Sequence, residues 1–280
     1  MLWRKVFDRN PLFVTATDKL AAKDYVRERA PELPQPAVLW IGSSAADIPD
    51  MVLAGPAMVK ASNGSGANYR VEGGKPDRQT IARSTRHLLR PGGHRRREEW
   101  AYWPIAGRLF AEELLPLGGG DLPTDLKAYV ASGRVCNVWA TDKLFGRSLT
   151  LSPDGTPLPG RDELNPDEAA ALPWSEHLAE LVREAARLAP VLGEAFDMVR
   201  VDFLVTPEGL HAGELTIYSS GGYDVWFNPA IPAEIGEVWD LRDSWFLRQR
   251  HRGLRRRYAE ALIAAETAVR GARRTKLHDV

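Results

Sequence analysis

Residues 197–222, DMVRVDFLVTPEGLHAGELTIYSSGG, form the stretch that decides how the rest of the chain is interpreted. The stretch predicts two β-strands, 198–205 and 210–217, because both segments are rich in β-branched and apolar residues. The intervening sequence TPEG is typical of a tight turn, with proline at its second position and glycine at its last. A β-hairpin is therefore the first structural expectation.

Four side chains of this hairpin suggest chemistry. Alternation along a strand puts Arg200 and Asp202 on one face of the first strand, and Glu214 and Thr216 on one face of the second. If the two faces coincide, two carboxylates and a guanidinium converge, a group suited to a hard cation such as Mg²⁺ together with phosphate oxygens. The alternative is an ordinary cross-strand ion pair, and the hairpin alone does not decide between the two.

The amino-acid composition limits the kind of protein and the partners that we expect. At 280 residues, with 44% hydrophobic and 26% charged residues, the chain has the composition of a soluble globular protein. Basic and acidic residues balance at 37 each, so bulk charge gives no indication of nucleic acid or an anionic membrane as a partner. A single cysteine, Cys136, excludes an internal disulfide framework and a cysteine-cluster metal site. With no signal-peptide pattern and no bilayer-spanning apolar run, we expect a cytoplasmic protein, and homo-oligomerisation stays open.

A second group of residues suits phosphate binding. Only eight of the 37 basic residues are lysines, so a lysine in a patterned position stands out. Lys60 ends a predicted strand, 57–61, and the glycine-rich run Asn63-Gly64-Ser65-Gly66 follows it. Glycines let backbone N–H groups approach phosphate oxygens, and the lysine neutralises their charge. The same run is also typical of a simple hairpin turn.

Further charged residues have two interpretations each. The basic loop 91–97, PGGHRRR, is either a solvated surface loop or a lid over bound polyphosphate. Adjacent glutamates, Glu112 and Glu113, lie on a predicted strand and therefore point to opposite faces. Asp125 and Lys127 share a face of the next strand, where a surface ion pair is the alternative to a functional role.

Helical periodicity appears in four segments, 18–30, 77–90, 175–188 and 241–274. The last contains the basic block RQRHRGLRRRY, which predicts a solvated helix face more than a nucleic-acid site, given the neutral total charge. Residues 1–16 give a mixed apolar and basic lead-in without an assigned element.

Taken in order, short motifs along the chain resemble an ATP-grasp enzyme, and specifically the TupA-like branch associated with teichuronopeptide biosynthesis. The motifs are Thr17-Asp18-Lys19 with Tyr25-Val26, Met58-Val59-Lys60 with Asn63-Gly64-Ser65-Gly66, Arg97-Glu98 with Trp100 and Tyr102, Ala111-Glu112-Glu113-Leu114-Leu115, Asp125-Leu126-Lys127, Val199-Arg200-Val201-Asp202 and Gly213-Glu214-Leu215-Thr216. The resemblance implies an α+β ATP-grasp fold in which two α+β lobes clamp a nucleotide, followed by the basic C-terminal helix. We assign residues 1–56 to an N-terminal helix and strand segment, 57–116 to the small lobe, 117–240 to the large lobe and 241–280 to the C-terminal helix.

The same resemblance implies ATP and Mg²⁺ as cofactors and a role for each matching residue. The ATP-binding residues would be Lys60, Asn63, Gly64, Ser65, Gly66, Glu112, Glu113, Leu114 and Leu115. Asp202 and Glu214 would bind the metal, and Arg200 and Lys127 would be catalytic. The substrate-binding residues would be Arg97, Thr216, Ser219, Ser220 and Gly221. Many ATP-grasp enzymes carry asparagine where this chain has Thr216, which leaves a second metal site open.

The function expected from these residues is carboxylate–amine ligation driven by ATP, with a small-molecule carboxylate and an amine as substrates. A carboxylate, an amino acid or a sugar acid, would be activated as an acyl-phosphate. Two alternatives remain at this stage. One is a kinase of the same fold that phosphorylates a small molecule, and the other is a catalytically impaired nucleotide-binding protein that uses its basic C-terminal helix to bind a partner. Membrane association is not expected, and nucleic acid is an unlikely partner.

Overall fold

The computed structural model describes residues 1–64, 66, 68–73, 77–89, 98–119, 121–158, 170–223 and 230–278. The helices are α1 Leu2–Val6, α2 Leu12–Thr17, α3 Lys19–Arg29, α4 Asp50–Ala54, α5 Arg78–Thr85, α6 Glu176–Gly193, α7 Ala230–Val238, α8 Trp245–Arg248 and α9 Gly253–His278. The strands are β1 Val38–Gly42, β2 Ala57–Ala61, β3 Asn68–Val71, β4 Leu109–Glu113, β5 Asp125–Ala131, β6 Arg134–Asp142, β7 Arg147–Leu151, β8 Ala170–Ala171, β9 Met198–Thr206 and β10 Gly209–Thr216. The fold is α+β, as predicted.

The smaller sheet has four antiparallel strands in the order β1-β4-β2-β3. Alternate residues of β2, namely Ala57, Val59 and Ala61, are buried in an apolar core that also contains Leu53 and Ile81. The intervening residues of the same strand therefore lie on the opposite face, which carries the predicted phosphate-binding lysine.

The larger sheet has six strands in the order β10-β9-β5-β6-β7-β8, and each neighbouring pair except β7–β8 is antiparallel. One face packs on α6, which begins at a Ser175 side-chain cap and presents buried residues such as Leu178, Val182 and Ala185. Val201 and Phe203 of β9 lie in this core, so the even-numbered residues of β9 lie on the other face. This second face is rich in polar side chains.

The first 17 residues form two helices, which the mixed sequence pattern did not predict. Arg4 on α1 is fully buried and pairs with Asp197 at 2.9 Å, and it also donates to the carbonyl oxygens of Ile217 and Met198. Its guanidinium lies 4.6 Å from the Phe13 ring centroid. These contacts tie the N-terminus to the end of the β9–β10 hairpin.

Several predicted helix ends are wrong. The helix expected over 77–90 ends at Thr85, whose hydroxyl bonds back to the Ile81 carbonyl oxygen. The helix expected to stop at residue 188 continues to Gly193 and includes Pro190. The continuous C-terminal helix is divided, because α8 ends at Arg248 and α9 begins at Gly253.

The segment boundaries stay predictions, although the packing of residues 1–56 bears on them. Phe13 and Tyr25 belong to the core of the six-stranded sheet, whereas Ile48 and Leu53 belong to the core of the four-stranded sheet. The N-terminal segment thus contributes to both cores. Among the described residues, no helix combines the length and the apolar content that a bilayer span requires.

Candidate active site

A bulge at Gly213 places the two predicted metal ligands opposite each other. Ala212 pairs with Phe203, but Glu214 pairs with Asp202, so one residue of β10 is extra. Without the extra residue, Glu214 would face the apolar core. A Cβ at Gly213 would lie 2.7 Å from the Asp202 carbonyl oxygen, which explains glycine at this point.

The bulge assembles a polar row across three neighbouring strands. Lys127 of β5 pairs with Asp202 of β9, which pairs with Glu214 of β10. In the adjacent row, Arg200 lies opposite Thr216. The convergence expected of the four hairpin side chains is thus present in the structure.

Arg200 is the centre of this group. Its Nε donates to Asp202 Oδ1 and its Nη2 to Asp202 Oδ2, both at 2.7 Å, in a bidentate pair. It also donates to Thr216 Oγ1 at 3.2 Å and to Ser219 Oγ at 3.0 Å, and Nη2 lies 3.9 Å from Glu214 Oε1. Although burial opposes the charge, the Asp202 carboxylate raises the pKa of Arg200 well above its usual value. The guanidinium is therefore a fixed positive charge between the two carboxylates.

Glu214 has a second cationic partner that sequence analysis did not assign to the site. Lys19, the first residue of α3, donates to Glu214 Oε2 at 3.0 Å. The Lys19 ammonium lowers the pKa of Glu214 to about 2, against the effect of burial, so the carboxylate is ionised at neutral pH. Conversely, burial opposes the charge of Lys19, but the Glu214 carboxylate raises the pKa of Lys19.

Glu112 of the small sheet is buried between two lysines. Lys60 binds its Oε1 atom, and Lys23 of α3 lies 2.9 Å from its Oε2 atom. Glu112 is only 3% exposed, and the two ammonium groups pair with its buried carboxylate. Its neighbour Glu113 is exposed on the other face, as the alternation predicted.

The residues after β4 connect the two sheets. Leu114 and Leu115 are half-buried in this connection, and the Gly118 N–H donates to the Val205 carbonyl oxygen at 2.8 Å. The segment predicted as the adenine-binding hinge therefore runs from the small sheet to the large one. Its proposed contact with adenine stays a prediction.

Lys127 and Asp125 form a buried pair, so the alternative of a surface ion pair is wrong. Both residues lie on β5, a central strand that is covered on both faces, and they are 6% and 3% exposed. Lys127 also donates to Thr141 Oγ1 at 2.7 Å, and Lys143 lies 3.0 Å from Asp125 Oδ2. This network holds the Lys127 ammonium on the polar face of the large sheet.

The glycine-rich run joins β2 to β3, directly after Lys60. The Asn63 side chain turns inward and donates to the Leu88 carbonyl oxygen at 2.7 Å, so this amide anchors the loop to the residues after α5. Gly64 is buried against Leu88, and Gly66 is exposed with a φ of 80°. Among the described residues of this loop, a phosphate contact would have to come from the backbone. Ser65, like Arg97 and the rest of the basic loop, lies outside the described residues.

The loop after β10 forms a short 3₁₀ turn, Ser219–Gly222. Ser219 is buried and accepts the bond from Arg200, whereas Ser220 is exposed. Ser220 and Gly221 have φ angles of 46° and 67°, a left-handed pair that brings the backbone close to the polar group. The predicted substrate loop therefore lies beside Arg200.

The oxygen donors of Asp202 and Glu214 fit Mg²⁺ in chemistry and charge. Both carboxylates are ionised or ion-paired, and side-chain cations, Arg200 and Lys19, already balance them. Within the described part of the chain, no group of three or more His, Cys, Asp or Glu side chains is arranged to hold a metal. Mg²⁺ would therefore need phosphate oxygens and water to complete its coordination.

Lys19 and Lys23 are the site residues that sequence reasoning missed. The scarcity of lysine in an arginine-rich chain was the available signal, together with the four-residue spacing that places both on one face of a helix. Their partners, Glu214 and Glu112, lie far away in the sequence. Local pattern analysis had no means to pair them.

Comparisons with known proteins were made for sequence families, curated proteins and solved structures. No family model matches the chain. No curated protein is detectably similar to it in sequence. Solved structures with a similar arrangement include D-alanine–D-alanine ligase from Bacillus anthracis complexed with ATP. That ligase is 15% identical with a TM-score of 0.48, and the alignment covers 92% of this chain and 68% of the ligase.

Two other solved structures are similar to parts of the chain. The ADP complex of purK, an N5-carboxyaminoimidazole ribonucleotide synthetase, is 12% identical with a TM-score of 0.49, covering 83% of this chain and 52% of that one. The ATP-grasp ligase PsnB, complexed with a phosphomimetic variant of a minimal precursor, Mg and ADP, is 16% identical with a TM-score of 0.39, covering 81% and 59%. The chain thus spans about half to two thirds of the length of these structures. With TM-scores under 0.5, these likenesses carry no argument about function, which has to come from the chain's own residues.

Proposed function

We propose that this protein is an ATP-dependent carboxylate–amine ligase of the ATP-grasp superfamily, of the TupA-like branch. The observation that carries the proposal is the pairing of Asp202 with Glu214 across a bulged hairpin, with Arg200 bound to one carboxylate and close to the other. Two ion-paired carboxylates and a fixed guanidinium on one polar face suit phosphoryl transfer, which depends on positioning and charge stabilisation.

Each remaining role is assigned by position. Asp202 and Glu214 would hold Mg²⁺, which when bound neutralises charge on the phosphates of ATP. Lys60 at the end of β2 and Lys127 on β5 would bind phosphate oxygens from the small and large sheets. The backbone of Gly64 and Gly66 would supply N–H donors, and the connection at Leu114–Leu115 would receive the adenine.

The reaction has two steps, phosphorylation of the carboxylate and attack by the amine. An oxygen of the substrate carboxylate attacks the γ-phosphorus of ATP, the bond between that phosphorus and the β,γ-bridging oxygen breaks, and ADP leaves. An amine nitrogen then attacks the acyl carbon, and the C–O bond to the phosphoryl group breaks. Phosphate leaves with an oxygen of the original carboxylate, the amine loses a proton, and an amide forms. Arg200 stabilises the charge that develops on the transferring group, because its planar fork is held in place by Asp202 and Ser219.

The experiment measures ADP and inorganic phosphate together, with Mg-ATP, pooled carboxylates and pooled amines, using Glu214→Gln as the blank. Release of ADP and phosphate in equal amounts, dependent on both pools, supports the ligase. ADP without phosphate contradicts it and indicates the kinase. Binding of ATP with no turnover under any pool indicates the catalytically impaired protein.

A further inference from the structure

A pocket of about 200 Å³ lies between α2–α3 and the edge strand β10, next to the polar group described above. Its lining combines apolar side chains with three cations and with three carboxylates, Glu99, Asp202 and Glu214. Residues that define its character are Lys19, Ala22, Val26, Leu192, Arg200 and Ser220. Asp202 and Glu214, the predicted metal ligands, also line it, so the pocket adjoins the group assigned to phosphoryl transfer.

We propose that this pocket takes the carboxylate substrate, that Lys19 binds its acid group, and that the substrate is an aliphatic carboxylate of amino-acid size. The proposal rests on the proposed function, since it assigns a substrate class to the same active site. Nothing in the motif pattern assigned Lys19 or α3 to substrate binding.

Lys19 has the donors that a carboxylate needs. An ammonium carries three N–H donors, and among the described residues the one hydrogen bond of Lys19 Nζ goes to Glu214. Arg200, in contrast, already uses four N–H donors on Asp202, Thr216 and Ser219. Lys19 therefore has the greater capacity for a new anion, and it lines the pocket beside Arg200. A carboxylate bound there would have its oxygens close to the group that handles phosphoryl transfer.

The size and lining of the pocket define the rest of the substrate. Drug-sized ligands occupy pockets of about 300–1,000 Å³, so this smaller volume suits a molecule of amino-acid size. Ala16, Ala22, Val26 and Leu192 form an aliphatic part of the wall. The hydroxyl groups of a sugar acid would lose hydrogen bonds to water against this wall, whereas an aliphatic side chain would bury apolar surface.

The test is binding without turnover. L-alanine, L-valine and D-glucuronate are titrated at millimolar concentrations into the wild-type protein and into Lys19→Met, with ligand-observed NMR as the readout. We expect an aliphatic amino acid to bind, D-glucuronate not to bind, and Lys19→Met to lose about 10- to 100-fold in affinity, as for a hydrogen bond to a charged group. Lys19→Arg should recover most of the loss, and Arg27→Met, on the exposed side of α3, should bind as the wild type does.

Three outcomes would overturn the proposal: unchanged amino-acid binding in Lys19→Met, D-glucuronate binding as tight as that of the aliphatic acids, or no binding by any of the three. Circular dichroism and the Lys19→Arg variant separate a local loss from unfolding. Fluorescent mant-ATP binding to the wild-type protein is measured in parallel to report on the nucleotide site. If amino acids bind but mant-ATP does not, the pocket stands and the proposed function fails. If Lys19→Met releases ADP and phosphate in a carboxylate-dependent reaction with an unchanged KM for the carboxylate, the proposed function stands and the assignment of the pocket fails.

Discussion

Asp202 and Glu214 lie directly opposite each other on β9 and β10, although simple alternation from the start of β10 would turn Glu214 into the core. The bulge at Gly213 turns the Glu214 side chain to the same face as Asp202. The bulge is possible because a glycine permits the close approach of the Asp202 carbonyl oxygen. The candidate active site therefore depends on a residue that carries no functional group.

Gly213→Ala should lower both stability and activity. Its Cβ would lie 2.7 Å from the Asp202 carbonyl oxygen, so one strand must move and the carboxylates separate. We expect a loss of about 1–3 kcal/mol in the free energy of unfolding, measured by urea denaturation, as for overpacked sites. Gly55→Ala, just after α4, is the matched control, because nothing lies within 4 Å of its Cβ and its backbone is extended. Equal stability of the two variants would show that the bulge tolerates a side chain.

Glu214→Gln should abolish turnover while leaving the fold intact. The change keeps the shape of the side chain but removes the charge that pairs with Lys19 and that would hold Mg²⁺. We expect ADP release to fall about 100-fold or more, because several kcal/mol of charge stabilisation are lost. Glu208→Gln, on the exposed turn of the same hairpin, should retain full activity. Wild-type turnover in Glu214→Gln would remove this residue from the site.

Lys60→Met should weaken nucleotide binding without unfolding the small sheet. Glu112 keeps its pair with Lys23 at 2.9 Å, so the buried carboxylate retains one cation. The affinity for mant-ATP should fall about 10- to 100-fold, since a hydrogen bond to a charged group is lost. Arg83→Met, an exposed cation on α5, is the control and should bind mant-ATP normally. Equal affinities for the two variants would place the phosphates elsewhere.

Asp8 should give the protein a distinctive pH dependence. Burial, with the nearby Asp197 charge, raises the pKa of Asp8 to about 6, although the Phe246 N–H and Arg4 partly oppose this. The folded state therefore binds more protons than the unfolded state between about pH 4 and 6, so stability falls as pH rises through this window. The shift corresponds to about 2–3 kcal/mol.

Asp8→Asn should remove the contribution of Asp8 to the pH dependence of stability. The free energy of unfolding of this variant should therefore change less than that of the wild type between pH 4 and 7. Urea denaturation at each pH gives the comparison. Asp24→Asn, an exposed carboxylate on α3, should keep the wild-type profile. Parallel profiles for Asp8→Asn and the wild type would show that Asp8 titrates normally in the folded protein.

Sequence patterns predicted the strands of the hairpin and the shared face of Arg200 and Asp202, because period-two alternation is a local property. They did not predict the bulge, since a single glycine within a strand does not specify how its neighbours pair. They also left a surface ion pair open for Lys127, because the position of β5 in the centre of the sheet follows from long-range strand order.

The N-terminal helices show the same limit. Arg4 resembles any basic surface residue in the sequence, yet it is fully buried, and its two Nη atoms donate to Asp197 and to two carbonyl oxygens. Lys19 and Lys23 lie on a helix that was predicted correctly, with Asp18 as its cap. Their function depends on carboxylates brought to the helix by the tertiary fold.

The most direct test of the ligase proposal is the fate of the carboxylate oxygen. The protein is incubated with Mg-ATP, pooled amines and amino acids whose carboxylates carry ¹⁸O, and the released phosphate is examined by ³¹P NMR. Attack of the carboxylate on the γ-phosphate predicts that the phosphate contains one ¹⁸O atom derived from the substrate, with none in the Glu214→Gln sample. Phosphate that is released without ¹⁸O would contradict an acyl-phosphate and, with it, the proposed ligase.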